Sequence, residues 1–233
     1  MFITRFEKLP PDLRTEEVRP YAEHLASREG TLLAKRILDV LLCGSVFLLT
    51  LPLFLLIALL IGLTSKGPVL FRQKRVGRDG KEFDILKFRT MVAGADRIGV
   101  QLTTGDDARI TSFGRILRKL NLDEMPQLLN VLKGEMSVVG TRPEVRRYVE
   151  EYTPEMRATL LLAPGMLSDA SVKYKDENRL LTGAENPRQV YVEQILPDKM
   201  ACNLAYLRRL SLAEDLRIIG RSIACMFHYN QHT

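Results

Sequence analysis

Residues 40–63 read VLLCGSVFLLTLPLFLLIALLIGL, 24 positions without a charge. Spanning the hydrocarbon core of a bilayer takes about 20 apolar residues, so the run is long enough to enter a membrane as a helix. Thirty-nine residues precede it and no small-residue cleavage site follows, which separates it from a removable signal peptide. Pro52 stands near its middle; it lacks the amide for one helical hydrogen bond and predicts a break or bend there. Thr50 is placed to bond a carbonyl freed at that break. Both flanks are basic: Lys35 and Arg36 before the run, Lys66, Arg72, Lys74, Arg75 and Arg78 after it. Cations beside a membrane segment stay on the cytoplasmic side. With both ends so marked, a helix that enters, turns at Pro52 and returns suits the charges better than a crossing. A straight single-pass anchor kinked at the proline is the alternative.

Residues 1–34 are polar and interrupted by Pro10, Pro11 and Pro20, and read as a loosely packed cytosolic extension with short helices. Asp39, one turn inside the basic entrance, is expected to pair locally with Lys35 or Arg36. Beyond the apolar run, Val69–Phe71 and Phe83–Leu86 flank the turn Gly77-Arg78-Asp79-Gly80, the spacing of a β-hairpin. Removing the first 65 residues leaves about 170, enough for one domain with its own core. The expected organisation is therefore an extension over 1–34, a re-entrant membrane helix over 35–65 and a catalytic domain over 66–233.

The formal charge of +6 suits an anionic bilayer surface and phosphorylated ligands. It would suit nucleic acid too, but aromatics make up only 7% and no zinc finger, GxxG loop or RNP-like run is present, so no nucleic-acid partner is expected. Cys43, Cys202 and Cys225 are scattered, giving neither a disulfide framework nor a zinc site and agreeing with a reducing compartment. His24, His228 and His232 share no ligand spacing and read as surface histidines.

The chemistry concentrates in residues 120–144, LNLDEMPQLLNVLKGEMSVVGTRPE. Asp123 and Glu124 precede a short apolar helix closed by Lys133-Gly134, and an apolar strand then leads into Arg142-Pro143. Upstream stand Arg118, in a helical pattern that starts at Thr111, and the cluster Lys87-Phe88-Arg89-Thr90. An acidic pair among fixed cations is what phosphoryl transfer needs: carboxylates hold a metal or attack phosphorus, and cations neutralise charge on the phosphoryl oxygens. Taken alone, acidic residues before a helix are more often a cap that satisfies free amides. The combination with Arg118 and Arg142 is what favours a site.

These blocks resemble the bacterial sugar transferase family, the small monotopic polyprenyl-phosphate hexose-1-phosphate transferases. The resemblance rests on KRILDV, the proline-containing apolar run, GPVLFRQKRVGRDGKEFDILKFRTM, TSFGRILRKLNLDEMPQLLNVLKGEMSVVGTRPE and ASVKYKDEN, in order from residue 35 to about 220. It implies an α+β fold: an N-terminal re-entrant membrane helix broken at a proline, then a mostly helical cytosolic catalytic domain with a small β-hairpin and amphipathic helices at the membrane surface. It implies transfer of sugar 1-phosphate from a UDP-sugar to undecaprenyl phosphate with release of UMP, as the first membrane step of a bacterial surface glycan. Asp123 would be the nucleophile that forms an aspartyl phosphosugar and a ligand of Mg²⁺. Glu124 would orient the metal site or serve as acid or base. Lys87, Arg118 and Arg142 would bind phosphate with Arg89 behind them, and Gln127 would be a polar contact. Pro52 would mark the helix break. The implied setting is the cytoplasmic face of the bacterial inner membrane, with downstream glycosyltransferases as partners.

Three positions depart from the family pattern. Thr141 stands where many members have proline, Pro164–Asp169 reads PGMLSD where many continue PG-hydrophobic-Thr-Gly, and Leu51 precedes Pro52 where the family often has serine, the hydroxyl standing one place earlier at Thr50. The first two leave the reaction class intact and bear on the sugar, and the third bears on the hydrogen bonding at the helix break. Asp169, Ser171, Lys173 and Tyr174 belong either to a sugar pocket or to a structural loop. Pro197 is expected to break or restart a helix from Val190, and Met200, Leu204, Leu207 and Leu210 read as core or as a bilayer-facing stripe. The rival reading is a non-catalytic membrane scaffold that binds anionic lipid or a partner enzyme, with the acidic pair kept as a helix cap.

Overall fold

The computed structural model describes residues 4–92, 94–95, 107–182 and 186–229. His232 lies outside this set, as does the side chain of His228. The chain is mostly helical, with two small two-stranded sheets and one long apolar helix near its N-terminus. The helices are α1 (Arg19–Ala26), α2 (Glu29–Thr64), α3 (Ser112–Lys119), α4 (Gln127–Lys133), α5 (Arg146–Val149), α6 (Asp169–Lys173), α7 (Glu177–Thr182), α8 (Pro187–Val190), α9 (Leu196–Arg208) and α10 (Leu212–Tyr229). Strands β1 (Leu70–Val76) and β2 (Glu82–Phe88) form the expected hairpin, pairing Leu70 with Phe88 and Val76 with Glu82. Its turn passes through Asp79 and Gly80, both at positive φ. A second pair is parallel: β3 (Ser137–Val139), the apolar strand expected ahead of Arg142, lies beside β4 (Gly165–Leu167), which is too short to be seen from sequence alternation.

Helix α2 carries the apolar run, and its backbone stays helical from Glu29 through Pro52 to Thr64. The expected break is therefore not a loss of helix. Nor does the Thr50 hydroxyl bond the carbonyl of Leu48 that Pro52 leaves free; it donates to Val46 O at 2.8 Å, one turn back. One stripe of α2 is buried, at Leu32, Lys35, Asp39 and Cys43 and again at Ile57 and Ile61. Its other side stays exposed at Leu41, Leu48, Leu49, Leu55, Leu59 and Leu63.

The buried stripe is held at both ends by the same domain. Asp39 does not pair with its neighbours: it accepts from Ser137 Oγ at 2.6 Å and from the Val138 amide at 3.2 Å. Lys35 reaches Asp215 of α10 at 2.7 Å, and Arg36 donates to the Val131 and Leu132 carbonyls at the end of α4. At the far end, Ile57 and Ile61 pack with Phe88 and Leu117, and the Phe54 ring lies 4.7 Å from that of Phe88.

The N-terminal segment is not loose. Leu13, Val18 and Leu25 are fully buried in the same cluster as Leu161, Leu196 and Leu207. Tyr21 donates to Glu155 at 2.6 Å and Arg157 pairs with Asp12 at 3.2 Å. Apolar residues spread among charges and prolines hide this packing, because none of the segment's helices is long enough to show a period. Pro197 also fails to stop its helix. The chain passes from α8 through a π-helical turn at Tyr191–Ile195 straight into α9, with the proline in the first turn. Met200, Leu204, Leu207 and Leu210 are core.

Candidate active site

The acidic pair does not cap α4. After α3, Asn121 adopts a left-handed conformation (φ 55) and Leu122–Glu124 form a separate short 3-10 turn. α4 begins behind Pro126 and has no side-chain cap. Both carboxylates are thus spared the amides of the next helix.

Their surroundings differ sharply. Lys87, near the end of β2, donates to Glu124 Oε1 at 2.7 Å. Arg142 straddles the same carboxylate, with Nη2 on Oε1 and Nη1 3.3 Å from Oε2. Burial pushes the Glu124 carboxyl up, but Arg142 and Lys87 outweigh it and hold the group well below the usual carboxylate range. Glu124 in turn pushes the pKa of the half-buried Arg142 guanidinium up, which keeps it protonated. Asp123 goes the other way: burial raises its pKa above the ordinary aspartate value and adjacent Glu124 adds to that, against the pull of Lys87 and Arg118. Among the described residues no side chain donates a hydrogen bond to Asp123. One carboxylate is a neutralised counter-charge, and the other is desolvated and available.

The cations are fixed by backbone close to the dyad. Arg118 Nε donates to Thr90 Oγ1 at 2.8 Å, and its own pKa is lowered by burial against the pull of Asp123. This contact needs α3 close to residue 90: a Cβ on Gly114 would lie 2.2 Å from Thr90 O. Arg142 sits on a segment pinned from two sides. Gly140 N donates to Leu167 O (3.0 Å) and Gly165 N to Thr141 O (2.9 Å), while Val76 N donates to Glu144 O (2.9 Å). The approach of residues 140 and 165 again excludes a side chain, since a Cβ on Gly165 would meet Gly140 N at 2.1 Å.

Two expected phosphate contacts lie elsewhere. Arg89 spends its guanidinium on the end of α2, donating to Ser65 O at 2.7 Å, to Ser65 Oγ at 2.8 Å and to Pro68 O. It closes the helix, because the last carbonyls of a helix lack partners of their own. Gln127 is fully buried with neither amide atom hydrogen-bonded, so it makes no such contact with the dyad. Pro52 stays in the membrane-length helix. The Pro164–Tyr174 loop is paired within the protein: Ser168 caps α6, Asp169 meets Arg217 and Arg221, and Lys173 and Tyr174 both bind Asp198.

No group of three or more His, Cys, Asp or Glu side chains fit to hold a metal occurs among the described residues. A hard cation that keeps most of its water needs less: one carboxylate plus ligand phosphates suffices. Asp123, which among the described residues accepts no side-chain hydrogen bond, fits that role, whereas Glu124 is already engaged.

A family model described as Bacterial sugar transferase matches residues 30–229. The UDP-glucose:undecaprenyl-phosphate glucose-1-phosphate transferase of Caulobacter vibrioides is 40% identical over 194 residues, covering 82% of this chain and 68% of that protein. The UDP-N-acetylgalactosamine-undecaprenyl-phosphate N-acetylgalactosaminephosphotransferase of Aeromonas hydrophila is 44% identical over 197 residues, 81% of this chain and 42% of that protein. The exopolysaccharide production protein PSS of Rhizobium leguminosarum bv. phaseoli is 38% identical over 195 residues, 81% of this chain and 92% of that protein. The chain thus spans less than half of the Aeromonas protein and nearly all of the Rhizobium one.

Proposed function

The chain belongs to the bacterial sugar transferase family and is a transferase, and from that premise we propose that it moves sugar 1-phosphate from a UDP-sugar to undecaprenyl phosphate in exopolysaccharide synthesis. The observation that carries the reading is the split dyad: Glu124 is clasped by Lys87 and Arg142, while among the described residues no side chain hydrogen-bonds Asp123.

Asp123 Oδ attacks the phosphorus that bears the sugar. A bond forms from aspartate oxygen to phosphorus, the bond from that phosphorus to the bridging oxygen breaks, and UMP leaves with the electron pair. The phosphate oxygen of the lipid then attacks the same phosphorus, the aspartyl bond breaks, and a lipid diphosphosugar is released. Dividing the displacement in this way is covalent catalysis. Desolvation keeps the Asp123 carboxylate basic, hence a better nucleophile than one in water. Lys87, Arg118 and Arg142 provide positive charge fixed before reaction, where the phosphoryl oxygens gain charge. Glu124, ionised between two of them, acts as their counter-charge and takes no proton. Asp123 and the substrate phosphates would hold Mg²⁺, which supplies charge neutralisation when bound.

The packing of α2 supports a re-entrant arrangement on the cytoplasmic face of the inner membrane. A helix of 36 residues is about 54 Å long, more than a hydrocarbon core, yet one domain holds Lys35 and Asp39 near its start and Ser65 at its end. A straight crossing would carry part of that domain into lipid. The scaffold alternative is less well supported, because the acidic pair does not cap α4.

The test is release of UMP by purified protein given Mg²⁺, undecaprenyl phosphate and a panel of UDP-sugars. One member of the panel should give sustained UMP release that depends on the lipid. Absence of UMP with every sugar would refute the reading.

A further inference from the structure

The segment bearing Arg142 ends in a buried charged cluster that the reaction itself does not use. Glu144 Oε1 accepts from the Tyr191 hydroxyl at 2.5 Å and lies 3.5 Å from Lys199 Nζ, while its Oε2 lies 3.7 Å from Arg75 Nη1. Lys199 also donates to Tyr191 Oη at 3.3 Å and pairs with Glu177 at 3.0 Å. Glu144, Lys199 and Tyr191 are each more than nine-tenths buried. Such a cluster is costly to assemble and is weak support for stability by itself. Its geometry gives it another use. Arg75 Nη1 also donates to Pro143 O at 3.1 Å, so one guanidinium touches the residue after Arg142 and the carboxylate after that. Tyr191 lies in the π-helical turn that joins α8 to α9, and its ring packs tilted against that of Tyr148 of α5, 4.6 Å between centroids.

Resting on the proposed phosphosugar transfer, we infer that Glu144 and Tyr191 are positioning residues that aim Arg142 at the dyad. Glu144 is two residues from Arg142 along an extended chain, so its anchorage fixes where that chain runs. The Tyr191 hydroxyl supplies the shorter of the two contacts that tie this carboxylate to the C-terminal helices, the other being Lys199. Neither residue touches the dyad. They act through Arg142, and their loss loosens the guanidinium on Glu124.

The experiment is a double-mutant cycle on UMP release, comparing Tyr191→Phe with wild type and again in an Arg142→Lys background. Phenylalanine keeps the ring and its packing on Tyr148, so the fold is preserved; thermal melting of each variant checks this. Tyr191→Phe should lower the rate about tenfold in wild type, the loss for one hydrogen bond to a charged group. In the Arg142→Lys background, where the fork is already gone, the same change should cost less than twofold. Equal losses in both backgrounds, or none in either, would overturn the inference while leaving the transfer reaction standing. A wild-type protein that releases no UMP with any sugar overturns the reaction and this inference with it.

Discussion

Arg142 brings both terminal nitrogens of its guanidinium to the Glu124 carboxylate, and Lys87 reaches the same oxygen from the hairpin. Glu124 is thereby occupied, and its neighbour Asp123 is the carboxylate to which the proposed reaction assigns the attack.

Glu124→Gln should lower UMP release by about a hundredfold or more, because Lys87 and Arg142 lose the charge that spaces them. Folding stability should fall by about 1–3 kcal/mol at neutral pH. The depressed pKa fixes the sign of its pH dependence. The stabilisation is fully present above the unfolded-state value of about 4.3 and disappears as pH falls through the folded value. Melting curves of wild type and variant should therefore converge only in strong acid. A constant gap down to pH 2 would contradict the pairing.

Asp123→Asn should abolish turnover and at the same time raise the melting temperature by roughly 2–4 °C. Here the folded pKa is raised, chiefly by burial. The cost of that buried charge is absent below the unfolded value of about 3.9 and grows as pH rises through the folded one. The gain should vanish at low pH. A variant less stable than wild type at pH 7 would show that the carboxylate is structural.

Asp39→Ala strands the Ser137 hydroxyl and the Val138 amide inside the protein, both of which it now accepts from. It should destabilise the detergent-solubilised protein by about 2–3 kcal/mol, read by thermal or denaturant unfolding. A change within about 0.5 kcal/mol would mean that water replaces the carboxylate.

The proposed topology is read by labelling single cysteines in a background without Cys43, Cys202 and Cys225. Gly30→Cys in the first turn of α2 and Lys66→Cys just past its end both stand at exposed positions. Both should react with an impermeant thiol reagent only from the cytoplasmic side. Labelling of one of them from the periplasm would establish a crossing helix.

Much of this was legible in the sequence, and the failures share a cause. The hairpin was written in its turn residues, and the long helix in its uncharged run. The acidic pair and its cations were likewise visible as residue types around one stretch. What the sequence could not show was which cation goes to which partner. Arg89 adjoins Lys87 closely in sequence yet turns to Ser65, because residue 89 follows the strand where the chain meets the end of α2. Asp39 had two basic neighbours within one turn and bound neither, since tertiary hydrogen bonds from β3 were stronger claims. The Glu144–Tyr191 pair joins positions 47 apart, and nothing local in Tyr191 announces it.

A covalent link at Asp123 is the centre of the proposed reaction. Purified protein incubated with its UDP-sugar and Mg²⁺, without lipid acceptor, should release a stoichiometric burst of UMP. Intact-mass analysis should then show one added sugar phosphate, mapped by peptide fragmentation to Asp123 and discharged when undecaprenyl phosphate is added. If UMP appears only when lipid is present, and no mass is added to a protein shown to be active, transfer is direct and the nucleophilic role of Asp123 is wrong.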